Sequence, residues 1–279
     1  MPSHAPTPHA PHVAAICKLF RANQYRQDLY ALFSDCMEAT AIAISNSVDR
    51  PRYEAREKRY LDIVGRYDRP VVDGFPKILA EIVDALETAP GDVLGAAFGE
   101  LELLNAARGQ FFTPYTVCQV MARVTLGTGE NAKALIGRNG FVRALEPACG
   151  AGAMVIALAE AMRGQGINYQ RHLHVTAVDI DPRAVHMAYI QLSLLHVPAM
   201  LIVGNSLSLE TRETWFTPAH ILGRWGQRLA RRDADEAASA IRDPAAIPPP
   251  AAAPCTSTMS APTATQGPDR PQPRQLSLF

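Results

Sequence analysis

The chain has 279 residues, enough for one or two domains with a sizeable core. Its 27 Lys and Arg residues balance its 27 Asp and Glu residues, so no overall positive field indicates nucleic-acid binding, and any DNA contact must come from a local patch. The five cysteines include no C-x-x-C pair, which disfavours a disulfide framework or a zinc site. No signal-peptide pattern opens the chain, and no apolar run reaches the roughly 20 residues of a membrane span, so we expect a cytoplasmic protein without membrane contact.

The first third of the chain has the pattern of a helical domain. Residues 1–11 are rich in Pro, His and Ala and are predicted to form a disordered lead. Residues 12–107 are predicted to form an α-helical domain. Apolar residues recur at three-to-four spacing from Ala14 to Ile44, which predicts one amphipathic helix that Asp49-Arg50-Pro51 ends. Further helices are predicted over residues 52–67, 75–86 and 93–105.

A glycine turn is the central feature of the sequence. Residues 141–145 predict a strand, Glu146-Pro147-Ala148-Cys149-Gly150-Ala151-Gly152 a turn, and residues 153–163 a helix. Glycines let the backbone approach a ligand closely, and the free N–H groups at the start of a helix favour polar or anionic groups. The pattern indicates a nucleotide-cofactor site, although an ordinary strand-to-helix connection has the same outline.

A second motif, Gly109-Gln110-Phe111-Phe112-Thr113-Pro114, precedes the glycine turn. Thr113 and Pro114 predict the start of a helix over residues 115–126, with the hydroxyl as cap and Pro at the first helical position. Together the two motifs resemble the paired signature of the N6-adenine DNA methyltransferases, and most of all the modification subunits of type I restriction systems. The resemblance covers residues 75–207 and implies S-adenosylmethionine as cofactor and DNA as partner.

The resemblance also implies a cofactor pocket between the two motifs. On one side of the pocket, the residues that it assigns are Phe111, Thr113 and Pro114. On the other side, they are Glu146, Ala148, Gly150 and Gly152.

Two further strands are predicted to complete the pocket. The apolar, β-branched run 174–178 predicts a buried parallel strand. An acid at the end of the second strand of a doubly wound sheet can bind both ribose hydroxyls, so Asp179 is predicted to bind ribose, with Ile180 beside it. Asp181 is predicted to cap the next helix, and capping alone is the alternative for both acids.

The third predicted strand, 199–203, ends in Gly204-Asn205. In the resembled family an acid at this place accepts a hydrogen bond from the adenine amino group of the cofactor. Asn205 retains a side-chain oxygen able to accept that bond, so it is included in the predicted pocket.

No catalytic residue is predicted. The resembled family transfers the methyl group with an Asn/Asp-Pro-Pro-aromatic tetrapeptide that holds a flipped adenine, and this sequence contains no such tetrapeptide. His220, in Thr217-Pro218-Ala219-His220, is a weak substitute, and a surface or core histidine is the alternative.

The expected fold is α/β. Residues 108–229 are predicted to form a cofactor-binding domain with a partial Rossmann-like S-adenosylmethionine methyltransferase sheet, preceded by the α-helical domain. Too few residues follow Leu207 for a complete sheet, so we expect truncation after the third strand and an exposed edge at residues 141–145. The N-terminal helices, residues 211–229 or a partner chain are the candidates to cover that edge.

The C-terminal tail, residues 230–279, is rich in Pro and Ala and is predicted to be disordered. Its end, Gln275-Leu276-Ser277-Leu278-Phe279, resembles the pentapeptide that docks bacterial replication and repair proteins on the sliding clamp. The resemblance assigns the contact to Gln275, Leu276, Leu278 and Phe279. Chance stickiness of a terminal Leu/Phe pair is the alternative.

Two functions are compatible with these patterns. The first is an S-adenosylmethionine-dependent N6-adenine DNA methyltransferase of a bacterial restriction-modification system that needs a second methyltransferase or specificity subunit. The second is a catalytically inactive cofactor-binding accessory module of mobile-element biology that docks on the clamp.

Overall fold

A computed structural model of the protein describes residues 7–103 and 113–242. The chain divides into two compact units, Met1–Ala234 and Asp235–Phe279, and the second is described only as far as residue 242. The N-terminal helices and the sheet belong to the same unit. Within the described ranges, no helix combines the length and the hydropathy that a membrane crossing requires.

Six helices and one 3-10 turn, Arg50–Arg52, precede the first gap in the description. The helices are α1 (Ala10–Arg21), α2 (Leu29–Asn46), α3 (Tyr53–Val64), α4 (Arg69–Val72), α5 (Phe75–Thr88) and α6 (Val93–Glu100). The apolar pattern from Ala14 to Ile44 is therefore two helices, and the prediction of one was wrong. Residues 22–28 interrupt it and Asp28 caps α2, its side chain accepting from Ala31 N at 2.7 Å.

The periodicity crosses the interruption because both helices bury an apolar face in the same core, which contains Ile16 and Phe20 of α1 and Phe33 and Met37 of α2. The start of α1 corrects a second expectation, since Ala10 and Pro11 were predicted to be disordered. Here the His9 ring bonds Ala89 O at 2.8 Å, which holds the beginning of the helix against the loop after α5.

The second half of the fold alternates strands and helices. After the gap follow α7 (Tyr115–Leu126), α8 (Glu130–Asn139), β1 (Val142–Glu146), α9 (Ala153–Gly164), α10 (Tyr169–His172), β2 (Leu173–Asp179), α11 (Pro182–Leu194), β3 (Ala199–Asn205), β4 (Glu210–Phe216), α12 (Pro218–Leu222) and α13 (Trp225–Arg242). The α/β class is confirmed.

The four strands form one mixed sheet in the order β1-β2-β3-β4. The first three are parallel, with Glu146 opposite Ala177 and Asp179 opposite Val203, and β4 is antiparallel to β3. The carboxyl ends of β1, β2 and β3 therefore meet at one edge of the sheet, which is where ligands bind in open α/β sheets.

The fourth strand corrects the expectation that the sheet stops at the third. The segment Glu210–Phe216 is rich in charged residues and lacks the apolar run of a central strand, as expected for a strand at a sheet edge. Its buried Trp215 and the adjoining Thr217 fix it to the sheet, with Ala199 N donating to Thr217 Oγ1 at 2.9 Å.

The expectation of disorder from residue 230 was wrong as far as residue 242, because α13 continues to that point. The helix is held to the start of β1 by polar contacts. Arg143 pairs with Asp233 at 2.5 Å, and Arg232 donates to Phe141 O at 3.1 Å.

The main core lies on one face of the sheet, where residues of β2 and β3 belong to a single buried cluster with residues of α9 and α11. On this face α11 is buried along most of its length, packing on β2 and β3 and on the N-terminal helices α2, α5 and α6. Beside it, α9 carries the buried residues Val155, Ile156 and Ala159, and α7 packs on α9.

The outer edge of β1 has no strand partner among the described residues. Residues 211–229 were one candidate to cover it: β4 lies at the opposite edge of the sheet, whereas Trp225 contacts Phe141 just before β1, with ring centroids 5.0 Å apart. Leu145 of β1 is 70% exposed. On α7, the side turned away from α9 carries four exposed apolar residues at helical spacing, which we call the α7 stripe: Val117, Val120, Met121 and Val124.

Candidate cofactor site

The glycine turn connects β1 to α9 and is anchored to the end of β2. Cys149 N donates to Val178 O at 2.8 Å, which fixes the turn beside the neighbouring strand. Gly150 and Gly152 both have positive φ, 52° and 95°. A Cβ on Gly152 would lie 3.3 Å from Ala188 Cβ, so glycine meets both a backbone and a packing requirement there.

Asp179, at the end of β2, holds this turn through its side chain. Its Oδ2 accepts from Gly150 N at 2.8 Å and its Oδ1 accepts from Asp181 N at 2.9 Å. Each carboxylate oxygen has a second lone pair, so the two hydrogen bonds orient the carboxylate and leave it able to accept more. Asp181 caps α11 as predicted, with Arg183 N donating to its Oδ1 at 3.0 Å.

Glu146, at the end of β1, places a second carboxylate at the same edge. Ala148 N donates to its Oε1 at 3.3 Å. Burial raises the pKa of Glu146, the hydrogen bond from Ala148 lowers it, and the charge of Asp179 raises it. Two acids and the start of α9 thus converge, and Ile180, 61% exposed, adds an apolar surface beside Asp179.

Asn205, at the end of β3, differs from its predicted role. Its Oδ1 already accepts from Leu207 N at 2.9 Å and Ser208 N at 3.4 Å. The oxygen that was predicted to accept from the adenine amino group is therefore used within the loop, and the amide NH2 is the part of the side chain that remains. The preceding Gly204 is required by close packing, because a Cβ there would lie 2.1 Å from Glu210 O.

The second motif is described only in part, and Phe111 lies outside the described residues. Thr113 and Pro114 are exposed. Pro114 occupies the N-cap of α7 and Tyr115 its first turn, so the predicted Thr113 cap with Pro at the first helical position was wrong by one residue. The packing of α7 on α9, where Cys118 and Ala122 meet Ala153 and Ala157, brings this segment beside the helix that follows the glycine turn.

Gln191 of α11 is a site residue that sequence reasoning missed. It is fully buried, and its Nε2 donates to Ala151 O at 2.8 Å and to Asp92 Oδ1 at 2.9 Å, while its Oε1 accepts from Leu94 N at 3.0 Å. Asp92 is itself the cap of α6, accepting from Gly95 N at 2.8 Å. The side chain thus joins the glycine turn to the helix that leads toward the second motif.

A sequence signal for Gln191 exists. It lies on a face of α11 that is otherwise apolar, with Ala184, Met187 and Ala188. A lone amide on a buried face must find hydrogen-bond partners, which indicates a polar network without identifying its other members.

His220 is not part of this site. It is buried and its Nδ1 lies 2.9 Å from Nε2 of His174, the second residue of β2. That position is at the amino ends of the parallel strands, whereas the glycine turn follows their carboxyl ends, so His220 is a core histidine. The predicted clamp residues, Gln275 to Phe279, lie outside the described residues.

The arrangement is suited to binding. Carboxylates at two strand ends accept from hydroxyl or ammonium groups, helix N–H groups donate to polar groups, and Ile180 offers an apolar contact. These features fit a nucleoside cofactor with a charged amino-acid portion, and among the predicted site residues that the structure describes, Asn205 departs from that fit.

The comparisons with known proteins agree with this geometry. A model of the family described as N-6 DNA methylase matches residues 92–246, a region that spans more than half of the chain and contains α6, both motifs and the whole sheet. Comparison with curated proteins and with solved structures gives no match. By the family match, this chain is a member of the N-6 DNA methylase family.

Proposed function

We propose that this protein acts in N6-adenine DNA methylation and binds S-adenosylmethionine at the carboxyl edge of a Rossmann-like methyltransferase sheet. The observation that carries the proposal is the placement of the Asp179 carboxylate, oriented by Gly150 N and Asp181 N beside the glycine turn. S-adenosylmethionine, when bound, supplies the methyl group.

The residues of the chain have separate tasks in this proposal. Asp179 accepts from the ribose hydroxyls, and Ile180 packs against the nucleoside. Glu146 and the backbone of Ala148, Gly150 and Gly152 hold the amino-acid portion at the start of α9. Phe111, Thr113 and Pro114 close the other side.

Titration calorimetry with S-adenosylmethionine tests the proposal. The wild-type chain is expected to bind one equivalent, and Asp179→Ala to abolish the heat of binding. Asp181→Asn is the matched control, because Asn also caps a helix and this residue is assigned no contact with the cofactor. Absence of saturable heat with the wild-type chain would contradict the proposal.

Methyl transfer needs groups that this sequence does not contain, since it has no Asn/Asp-Pro-Pro-aromatic tetrapeptide. We infer that a second methyltransferase or specificity subunit supplies them, pairing with the outer edge of β1 and covering the α7 stripe. The support is the exposure of apolar side chains there, with Val120 62% and Val124 77% exposed. The setting that we propose is a restriction-modification system in the bacterial cytoplasm.

The missing tetrapeptide also favours a second candidate. In it the chain is a catalytically inactive accessory module of a mobile element that binds cofactor and docks on the sliding clamp through Gln275, Leu276, Leu278 and Phe279. Fluorescence anisotropy of a 265–279 peptide against the clamp tests it, with saturable binding that Leu278→Ala with Phe279→Ala removes. Methylation of duplex DNA by the purified chain would eliminate this candidate.

A further inference from the structure

A cleft opens at the end of the sheet opposite the cofactor edge. Residues 48–52, between α2 and α3, form one wall, and α12 with the start of α13 forms the other. Its volume is about 360 Å³. We call it the arginine cleft, after Arg52 and Arg224, and its other polar or aromatic lining residues are Asp49, Phe216, His220 and Gln227.

The charge of the cleft comes from its two arginines. Asp49 is the lining acid, but it is 3% exposed and its Oδ2 already accepts from Arg56 at 2.9 Å and from Arg52 at 3.2 Å. Arg56 alone can balance this carboxylate, so Arg52 and Arg224 leave the cleft positive. Arg52 is 41% exposed and its Cζ lies 5.0 Å from the centroid of the Phe216 ring, which orients the guanidinium at the surface.

The histidines beneath the cleft add no charge at neutral pH. Burial lowers the pKa of His220 to about 4, and burial together with the charges of His220, Arg143 and Arg228 lowers the pKa of His174 to about 3. The wall below the arginines is therefore neutral and partly aromatic.

The positive surface continues onto the start of α13, before the exposed acids Asp233, Asp235 and Glu236. Arg228 lies with its Cζ 3.6 Å above the Trp225 ring, and its Nη2 donates to Arg171 O at 3.3 Å, so a third guanidinium is held next to the cleft. Arg171 and Arg50 are exposed nearby on α10 and beside Pro51. The chain as a whole has a formal net charge of zero, so binding of a polyanion would require a local positive patch. These arginines form such a patch.

We propose that the arginine cleft binds the phosphodiester backbone of DNA. Guanidinium groups match phosphate oxygens in geometry and charge, and an open cleft of this size admits a backbone segment without reading its bases. The seven residues of β3 separate this contact from the cofactor edge by about 20 Å, at roughly 3.3 Å per residue step, so the contact anchors a part of the DNA away from the reacting base.

The test measures binding of a short fluorescein-labelled duplex of arbitrary sequence by the full chain, by anisotropy, between about 50 and 200 mM salt. In Arg52→Gln with Arg224→Gln, the slope of log K against log salt is expected to fall by about 2, because each phosphate contact contributes roughly 0.9. Arg52→Lys with Arg224→Lys is expected to keep the slope, since it keeps the charges. The matched control is Arg26→Gln with Arg69→Gln, which removes two exposed charges elsewhere and is expected to leave the slope unchanged.

An unchanged slope in the folded Arg52→Gln with Arg224→Gln variant, or an equal loss in the control, would overturn the proposal. So would failure of the wild-type chain to bind DNA, or arginine-dependent binding of poly-glutamate in place of DNA, which would assign the cleft to an acidic protein. Thermal unfolding monitors the fold of each variant. Cofactor calorimetry is independent of all these outcomes, so a failure of the proposed function is distinguishable from a failure of this inference.

Discussion

The amide of Asn205, at a position where the resembled family has a carboxylate, limits the number of hydrogen-bond acceptors that the cofactor site can offer. Asn205 has one oxygen, and two backbone N–H groups already donate to it. Aspartate would keep those bonds and add a second acceptor for an adenine amino group. We therefore expect Asn205→Asp to tighten S-adenosylmethionine binding about tenfold by calorimetry, since a hydrogen bond to a charged group is worth about 1.5 kcal/mol.

The control for this change is Asn205→Ala, which removes the loop bonds and is expected to weaken binding. Weaker binding by Asn205→Asp than by the wild-type chain would show that position 205 does not face the adenine.

Buried histidines make the stability of the protein depend on pH. Burial is the main cause that lowers the pKa of His186 to about 3, with the charges of Arg59 and Arg56 adding to it, and the pKa values of His174 and His220 are also low. Between about pH 6.5 and pH 4 the unfolded chain binds protons at these positions and the folded chain does not. The free energy of unfolding is therefore highest above pH 6.5. It decreases as the pH is lowered below that value, by up to about 1.4 kcal/mol per pH unit for each histidine.

Substitution of His186 isolates one of these contributions. Both ring nitrogens of His186 lack a partner among the described residues, and its ring lies edge-on to Trp215 at 5.0 Å. The wild-type chain loses unfolding free energy between about pH 7 and pH 5. His186→Leu is expected to reduce that loss by roughly one third, because it removes one of the three histidines that take up a proton on unfolding. Urea unfolding at both pH values checks this, and an unchanged difference would contradict it.

The role of a single residue could be predicted from sequence where its hydrogen-bond partners lie close to it along the chain. Asp181 capping its own helix is such a case. Gln191 is the opposite case, because its partners Asp92 and Leu94 lie nearly a hundred positions earlier. Chain separation of that size leaves no local signal. The hydrogen bonds that the Asn205 oxygen accepts from Leu207 N and Ser208 N depend on the loop conformation, which a sequence pattern does not specify.

Among the elements, the link between α6, α11 and the glycine turn is the strongest candidate for a stability test. Gln191→Met keeps the volume but leaves Ala151 O and Leu94 N without their buried partner. We expect the free energy of unfolding to fall by about 2 to 4 kcal/mol, since each orphaned group costs roughly 1 to 3 kcal/mol. Urea denaturation measures it.

Gln119→Met is the matched control, since it removes one half-buried hydrogen bond to Glu160. Its cost is expected to stay near 1 kcal/mol. A loss in Gln191→Met no larger than that of the control would show that the turn is held without Gln191.

Elements with a buried apolar face were predicted from sequence, and those held by other means were not. β2 and β3 are short apolar runs and were found. β4 was missed because its charged residues lie at a sheet edge, and the end of α13 was missed because ion pairs and polar contacts, including Arg143 with Asp233, hold the helix. The division between α1 and α2 was missed because one core accepts both helices.

For the molecule as a whole, the outer edge of β1, which has no strand partner in the described ranges, is the feature that the proposed second subunit would cover. In a parallel pair only alternate amides of an edge strand donate to the neighbour. We expect hydrogen exchange of the isolated chain to show rapid exchange for the alternate amides of Val142–Glu146 that do not face β2. Strand β3, paired on both sides, is the internal control and should be protected throughout.

Protection of every amide in β1 of the isolated chain would mean that part of the same chain covers the edge, and would contradict the proposed second subunit. The α/β class and the lack of a strand partner for β1 within the described ranges were both predictable, because they follow from the order of the strand and helix patterns. Which chain covers the edge was not, since association depends on a surface that local pattern does not define.

The consecutive order of the strands has a consequence for synthesis. Each of β2, β3 and β4 pairs with the strand that immediately precedes it in the sequence. Because the ribosome releases the chain from its amino terminus, every one of these strands emerges after its partner. Sheet formation can therefore proceed in step with translation, adding one strand at a time to a ladder that already exists.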